Sequence, residues 1–200
     1  MSSVQICAYG SPTLRKKAVH IGQFDKRLQE QVDHMLQVMY IAKGIGLAAP
    51  QMGETQQVVV IDLQMELNNE MVTLDGKLIP LQLVQPLVLV NPSFDPVNDI
   101  LILGEEGCLS IPGVHGHVNR YLKIFVKYQD TEGTPHELTC ERLLARCIQH
   151  ELDHLNGILF VDRISQTERK ENAATLKALK ARGGVVQYEN PFKTLTSFTA

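Results

Sequence analysis

Apolar residues along this chain follow two different rhythms. Between Asp25 and Lys43 they recur at helical spacing, at Leu28, Val32, Met35, Leu36 and Met39, with Gly44 as a natural C-terminal cap. After this helix come short β-rich runs at Val58–Ile61, Leu87–Val90, Ile100–Leu103, Leu122–Tyr128 and His136–Thr139. Asp130, Glu132 and Gly133 supply turn chemistry between the last two runs. The stretch Asn68–Gln85 holds an Asp75–Gly76 pair and reads as a surface excursion or hairpin. A second helix is predicted over Glu141–Leu155 and a third over Gln166–Arg182, ending at Gly183–Gly184. Strands cluster between helices without βαβ alternation, so an α+β fold with antiparallel sheet is expected.

Size and composition narrow the class. A chain of 200 residues suits one domain, expected over residues 1–184, with 185–200 as a loosely ordered tail. Hydrophobic residues at 44% and charged residues at 20% supply a globular core. The formal net charge of −3, without a block of like charges, gives no nucleic-acid or anionic-membrane surface. Four cysteines, Cys7, Cys108, Cys140 and Cys147, lack a CxxC pair and fit a reducing compartment. The N-terminus has no signal-peptide core, and the apolar stretch Ile79–Val90 is too short to span a bilayer. A cytoplasmic, soluble protein is the expectation.

The chemistry concentrates in the second helix, where His150-Glu151-Leu152-Asp153-His154 forms an HExxH pattern. Two imidazoles four residues apart share a helix face and can reach one metal ion, with Glu151 placed to handle a proton on water there. On a helical wheel Leu143, Cys147, His150 and His154 form one stripe. Leu144, Ile148, Leu152 and Leu155 form an apolar neighbour, and Arg142, Arg146, Gln149 and Asp153 take the remaining face. Such a helix sits centrally, with core on one side and a lined cavity on the other. The competing reading makes Leu143 and Cys147 plain core residues, and cavity lining is the preferred one.

A catalytic divalent metal usually takes three protein ligands and keeps one position open. No HExxHxxGxxH extension follows, though Glu168, Glu171 and Glu189 stand downstream. Upstream, Cys108 is the better candidate, within Glu105-Glu106-Gly107-Cys108-Leu109-Ser110. An isolated cysteine in such a stretch would otherwise read as a small buried hydrophobe.

Three segments together change that balance. Gly44-Ile45-Gly46-Leu47-Ala48-Ala49-Pro50-Gln51, Glu106-Gly107-Cys108-Leu109-Ser110 and Gln149-His150-Glu151-Leu152-Asp153-His154-Leu155 resemble, in order and spacing, the three motifs of the peptide deformylase family. The C-terminal helix makes the chain look like the Gram-negative type. The resemblance implies antiparallel sheets packed around the HExxH helix, flanked by N-terminal and C-terminal helices. It implies removal of the formyl group from the N-terminal formyl-methionine of nascent chains, with release of formate and with the ribosome as the place of encounter.

The same resemblance implies that Cys108, His150 and His154 hold the metal, ferrous iron in the cell with zinc as the alternative. Glu151 is implied as general base and then acid, with the Gln51 amide and the Leu109 N–H stabilising the developing oxyanion. Gly46 would lie against the substrate backbone, while Ile45, Leu143 and Cys147 line the methionine slot. Asp153 lies off the ligand stripe and is expected to orient backbone or pair with an arginine. Three features depart from the family pattern: the long Asn68–Gln85 excursion, Gly104, and Arg146 at an often aliphatic position. The last two suggest a more open or more polar pocket rim. Two competing readings are an HExxH peptidase with a downstream third ligand and a non-catalytic Cys-His-His zinc protein closed by Cys147.

Overall fold

The computed structural model describes residues 3–63 and 70–191. In chain order it contains β1 (Ser3–Cys7), α1 (Lys26–Ile41), β2 (Gly46–Ala48), β3 (Val58–Ile61), β4 (Met71–Leu74), β5 (Lys77–Pro80) and β6 (Leu87–Pro96). There follow β7 (Leu101–Gly107), β8 (His115–Tyr121), β9 (Lys123–Gln129), β10 (Pro135–Glu141), α2 (Arg142–Leu155), α3 (Gln166–Glu171), α4 (Ala173–Ala181) and β11 (Val185–Glu189).

Seven strands form one sheet in the order β2-β3-β6-β9-β10-β4-β5, and β7-β8 and β1-β11 form two-stranded sheets, all antiparallel. The run Val58–Ile61 is apolar throughout because β3 is covered on both faces. Val59 and Ile61 pack with Leu144, Ile148 and Leu152 of α2, whereas Val58 and Val60 pack with Val32, Met35 and Met39 of α1. Each such side chain, fully buried, contributes about 1.5–3 kcal/mol. Helix α1 starts where predicted: the Asp25 carboxylate accepts the Leu28 N–H at 3.2 Å, an N-cap that satisfies an otherwise free amide.

The α+β architecture agrees with the expectation, with α2 at its centre: eleven of its fourteen residues are buried. Its polar face is not turned to water, since Arg146, Gln149 and Asp153 are buried too. Of the Asn68–Gln85 excursion, the part beginning at Glu70 is described, and residues 68–69 lie outside the described residues. It forms the β4–β5 hairpin, turning at Asp75 and Gly76 with φ of 49° and 77°, and adds two strands to the edge of the large sheet.

Two expectations are corrected. The helix predicted over Gln166–Arg182 is two, α3 and α4, separated at Asn172, whose side-chain amide donates to the carbonyls of Glu168 and of His115 on β8. Nor does residue 185 begin a loose tail. Positive φ at Gly183 and Gly184 (85° and 79°) redirects the chain into β11, which pairs with β1 from Ser3↔Glu189 to Cys7↔Val185. Residues 192–200 lie outside the described residues. Among the described residues no helix is long and apolar enough to cross a membrane.

Candidate functional site

Helix α2 brings His150 and His154 onto one face with ring centroids 5.1 Å apart. Cys108 stands immediately after β7, and β8 returns beside that strand, so the hairpin lays the cysteine against the helix. Cys108, His150 and His154 each offer one ligand atom, and these atoms lie within 4.8 Å of one another. Cys108 Sγ is 3.3 Å from His154 Nε2. A thiolate with two imidazoles, three ligands rather than four, is the donor set of a divalent metal with an open position. Just beside it, Glu151 Oε2 is a buried carboxylate oxygen with no hydrogen-bond partner among the described residues. Such an atom calls for a proton or a ligand. Burial raises the Glu151 carboxyl to about 7, against the pull of positive charge at His150.

The alternative ligands are elsewhere. Cys147 points its sulfur toward the Ile45 carbonyl at 3.7 Å and lies outside the ligand group. The Glu168 carboxylate is taken by His117 and Ser165. Glu189 sits on β11 opposite Ser3.

Beneath the ligands is an ion network that the sequence left unread. Glu106 accepts Nε and Nη2 of Arg120, Nη1 of Arg146 and Nδ1 of His150, each at 2.9 Å. Burial opposes its charge, but hydrogen bonds from His150 and Arg120 overcome it and hold the carboxyl near about 2. With Nδ1 bound to this carboxylate, the Nε2 edge of His150 is left for the ligand group, as metal-bound histidines are commonly oriented. Arg120 also donates to Asp153, which Arg163 holds from the other side. Asp153 therefore pairs with arginine, as expected. Glu106 stood inside a quoted motif, and the rule that a ligating imidazole needs a carboxylate on its other nitrogen was the signal for its role. Arg120 gave none, since it lies on β8, a strand that no predicted run covered.

Gln51 is buried, with its amide fixed at both ends. Its oxygen accepts the Ala48 N–H at 2.8 Å, while Nε2 donates to Ser110 Oγ at 3.2 Å and faces Cys108 Sγ at 3.6 Å. Gly46, on β2, crosses α2 so closely that a methyl group on it would lie 2.5 Å from Glu151 Oε1 and 2.9 Å from Cys147 Sγ. That approach is the reason for glycine here. Ile45, Gly46, Leu143, Cys147, Gln51 and Leu109 all line one cavity of about 390 Å³ that also reaches Cys108, His150 and Glu151.

Gly104 and Arg146 do not open this cavity. A Cβ at Gly104 would meet Arg146 Nη2 at 2.7 Å, so the missing side chain is replaced by the guanidinium. Arg146 also donates to the carbonyls of Ile102, Gly104 and Val118. Of the two expectations for the rim, more open or more polar, the structure shows the polar one: the guanidinium fills the space, with Nη1 and Nη2 hydrogen-bonded. Tyr188 of β11, which no sequence signal singled out, lines the cavity as well.

Comparison with known proteins agrees with this geometry. The sequence model of the family described as polypeptide deformylase matches residues 3–170. The peptide deformylase of Opitutus terrae is 46% identical over 178 residues, covering 88% of this chain and 93% of that protein. The Prochlorococcus marinus peptide deformylase is 43% identical over 180 residues, covering 90% and 79% respectively. Among solved structures, a Synechococcus elongatus peptide deformylase in complex with actinonin superposes with a TM-score of 0.72 at 41% identity, covering 87% of this chain and 84% of that one. A Plasmodium falciparum peptide deformylase gives 0.75 at 32% identity, covering 90% and 99%. By sequence, by fold and by the residues its three motifs bring together, this chain belongs to the peptide deformylase family.

Proposed function

We propose that this deformylase holds ferrous iron through Cys108, His150 and His154, and hydrolyses the formyl group of formyl-methionyl chains with Glu151 as its proton carrier. The convergence of one sulfur and two imidazole nitrogens beside a cavity, with an unpartnered carboxylate oxygen at its wall, carries this reading. Both iron(II) and zinc suit the donor set, with iron the assignment and zinc the alternative. When bound, the metal lowers the pKa of water from about 15.7 toward 7 and polarises a carbonyl oxygen.

The chain's own residues do the remaining work. Glu151 accepts the proton of the attacking water and delivers it to the departing amine. The formyl C–N bond breaks, the water oxygen stays with formate, and a free methionine N-terminus remains. Gln51 Nε2 and the Leu109 N–H supply hydrogen bonds to the carbonyl oxygen as negative charge gathers on it. Glu106 holds the His150 ring through Nδ1, and Gln51 is itself held by the Ala48 N–H. Ile45, Leu143 and Cys147 form the slot for an unbranched methionine side chain, and the Gly46 backbone lies against the substrate chain. Because the substrate is a nascent chain, the place of action is the cytoplasm, where ribosomes present it.

The deciding experiment is anaerobic purification with metal analysis, followed by formate release from formyl-Met-Ala-Ser. One equivalent of metal with formate release is expected. Stoichiometric metal without formate would instead support a structural site.

A further inference from the structure

Tyr188 lies beyond residue 170, where the family match ends, yet its side chain lines the site cavity. The way it gets there is specific. After α4, the turn at Gly183 and Gly184 lays β11 along β1, with Tyr188 opposite Val4. The segment following β1 then touches both partners: the Ala8 N–H donates to the Gly184 carbonyl at 2.7 Å, and the Tyr9 N–H to the Ser110 carbonyl at 2.8 Å. The C-terminal strand and the loop after Cys108 are thus tied to the same stretch of chain. Across this junction the Tyr188 hydroxyl donates to the Leu109 carbonyl at 2.7 Å.

Two peptide planes meet at the Leu109 Cα, and both are pinned. The plane that carries the Leu109 N–H also carries the Cys108 carbonyl, which accepts the Ile111 N–H at 2.9 Å. The next plane carries the Leu109 carbonyl, held by Tyr188. The Leu109 side chain is closed in as well, since a methyl group on Gly44 would lie 2.7 Å from its Cδ1. Donors fixed in this way need no reorientation as charge develops.

We propose that Tyr188 is a positioning residue for deformylation: its hydroxyl, through the Leu109 carbonyl, fixes the direction of the Leu109 N–H and makes β11 part of the active site. The proposal rests on the role given to Leu109 above. Tyr188 itself touches no reacting atom. Its contribution falls in the step where the carbonyl oxygen gains charge, so it acts on kcat rather than on substrate capture.

The test compares Tyr188→Phe and Val186→Ala in the metal-loaded full chain. Phenylalanine keeps the ring, and with it the packing and the cavity wall, and removes only the hydroxyl. Val186→Ala trims the same strand without touching Leu109. For Tyr188→Phe, kcat on formyl-Met-Ala-Ser falls about tenfold, the order expected for one aligned hydrogen bond, with KM within about twofold and metal content unchanged. For Val186→Ala, thermal stability falls while kcat holds. Hydrogen exchange over residues 107–111 quickens in Tyr188→Phe and not in Val186→Ala. Equal kcat in Tyr188→Phe and the parent chain would overturn the proposal, as would losses in both variants that track thermal stability alone. A parent chain that releases no formate defeats the deformylase reading instead, and exchange over 107–111 then decides separately whether Tyr188 pins the loop.

Discussion

Gly46→Ala tests how tightly Glu151 is placed. The substitution adds one methyl group to a residue of β2 whose backbone angles alanine can adopt, so its effect is steric. That methyl lies 2.5 Å from Glu151 Oε1, 3.0 Å from its Cδ and 2.9 Å from Cys147 Sγ. Ordinary contact begins near 3.4 Å, so the carboxylate oxygen must retreat by about 0.9 Å (3.4 less 2.5) or β2 must lift away from α2. Misplacing a reacting group by about 1 Å can cost about 100-fold. Overpacking of this kind destabilises by about 1–3 kcal/mol, which leaves a folded protein. The expected result is a kcat for formate release lowered about 100-fold at full metal content. Gly22→Ala, where nothing lies within 4 Å of the added methyl, leaves it unchanged. A double-mutant cycle sharpens the test: Glu151→Gln alone costs about 10²–10⁴-fold, and in the Gly46→Ala background it costs clearly less, because both act through one carboxylate. A kcat within threefold of the parent, or losses that multiply independently, would refute the reasoning.

Further outcomes follow from the same contacts. Cys108→Ser lowers bound metal well below one equivalent after dialysis against a chelator; unchanged content would favour a third ligand elsewhere. Leu143→Asp abolishes the preference for formyl-Met over formyl-Gly peptides, and a preserved preference ratio would remove Leu143 from the methionine slot. Glu106→Gln leaves Arg120 and Arg146 without their shared anion, costing about 3 kcal/mol or more and lowering the melting temperature by about 10 °C; a calorimetric shift under 2 °C would contradict this. His136 bonds Asp75 at the β4–β5 turn and also Asp130, and the Asp75 contact raises its pKa despite partial burial. The stabilisation of the hairpin is therefore full below about pH 6.5 and fades as pH rises through the raised pKa. Flat amide protection across β4–β5 from pH 6 to 9 would count against it.

What the sequence made legible was what local periodicity and short motifs encode. The four-residue spacing of His150 and His154, the apolar run of β3 and the Asp75–Gly76 turn each follow from contacts within a few residues or from burial on every side. What it hid depends on distant partners. β11 is a strand because β1, some 180 residues earlier in the chain, offers an edge; Val186 and Tyr188 do alternate with Gln187 and Glu189, but so short a run does not name its partner. Gly104 and Arg146 each looked like a gap or an intrusion when taken singly, and only their contact shows that the guanidinium occupies the space the glycine leaves. Arg146, Gln149 and Asp153 shared a wheel face that composition marks as solvent-facing. They are buried because β7 and β8 supply carbonyls, amides and charges that a helical wheel does not contain.

That buried polar face also explains why an ion network is kept where an apolar core would be at least as stable. Buried ion pairs add little net stability, since desolvation cancels most of the attraction. Their value here is geometric. Glu106 stands two residues before Cys108, and Asp153 stands one residue before His154. Arg120 grips both carboxylates at once, through Nε and Nη2 on one side and Nη1 on the other. A rigid guanidinium thereby sets the distance between β7, whose end leads into Cys108, and the helix that carries the imidazoles. Apolar side chains would tolerate sliding by a fraction of an ångström, whereas directional hydrogen bonds on both sides do not. The sulfur comes from a position more than 40 residues before the two imidazoles, and this clamp is what brings them to one point.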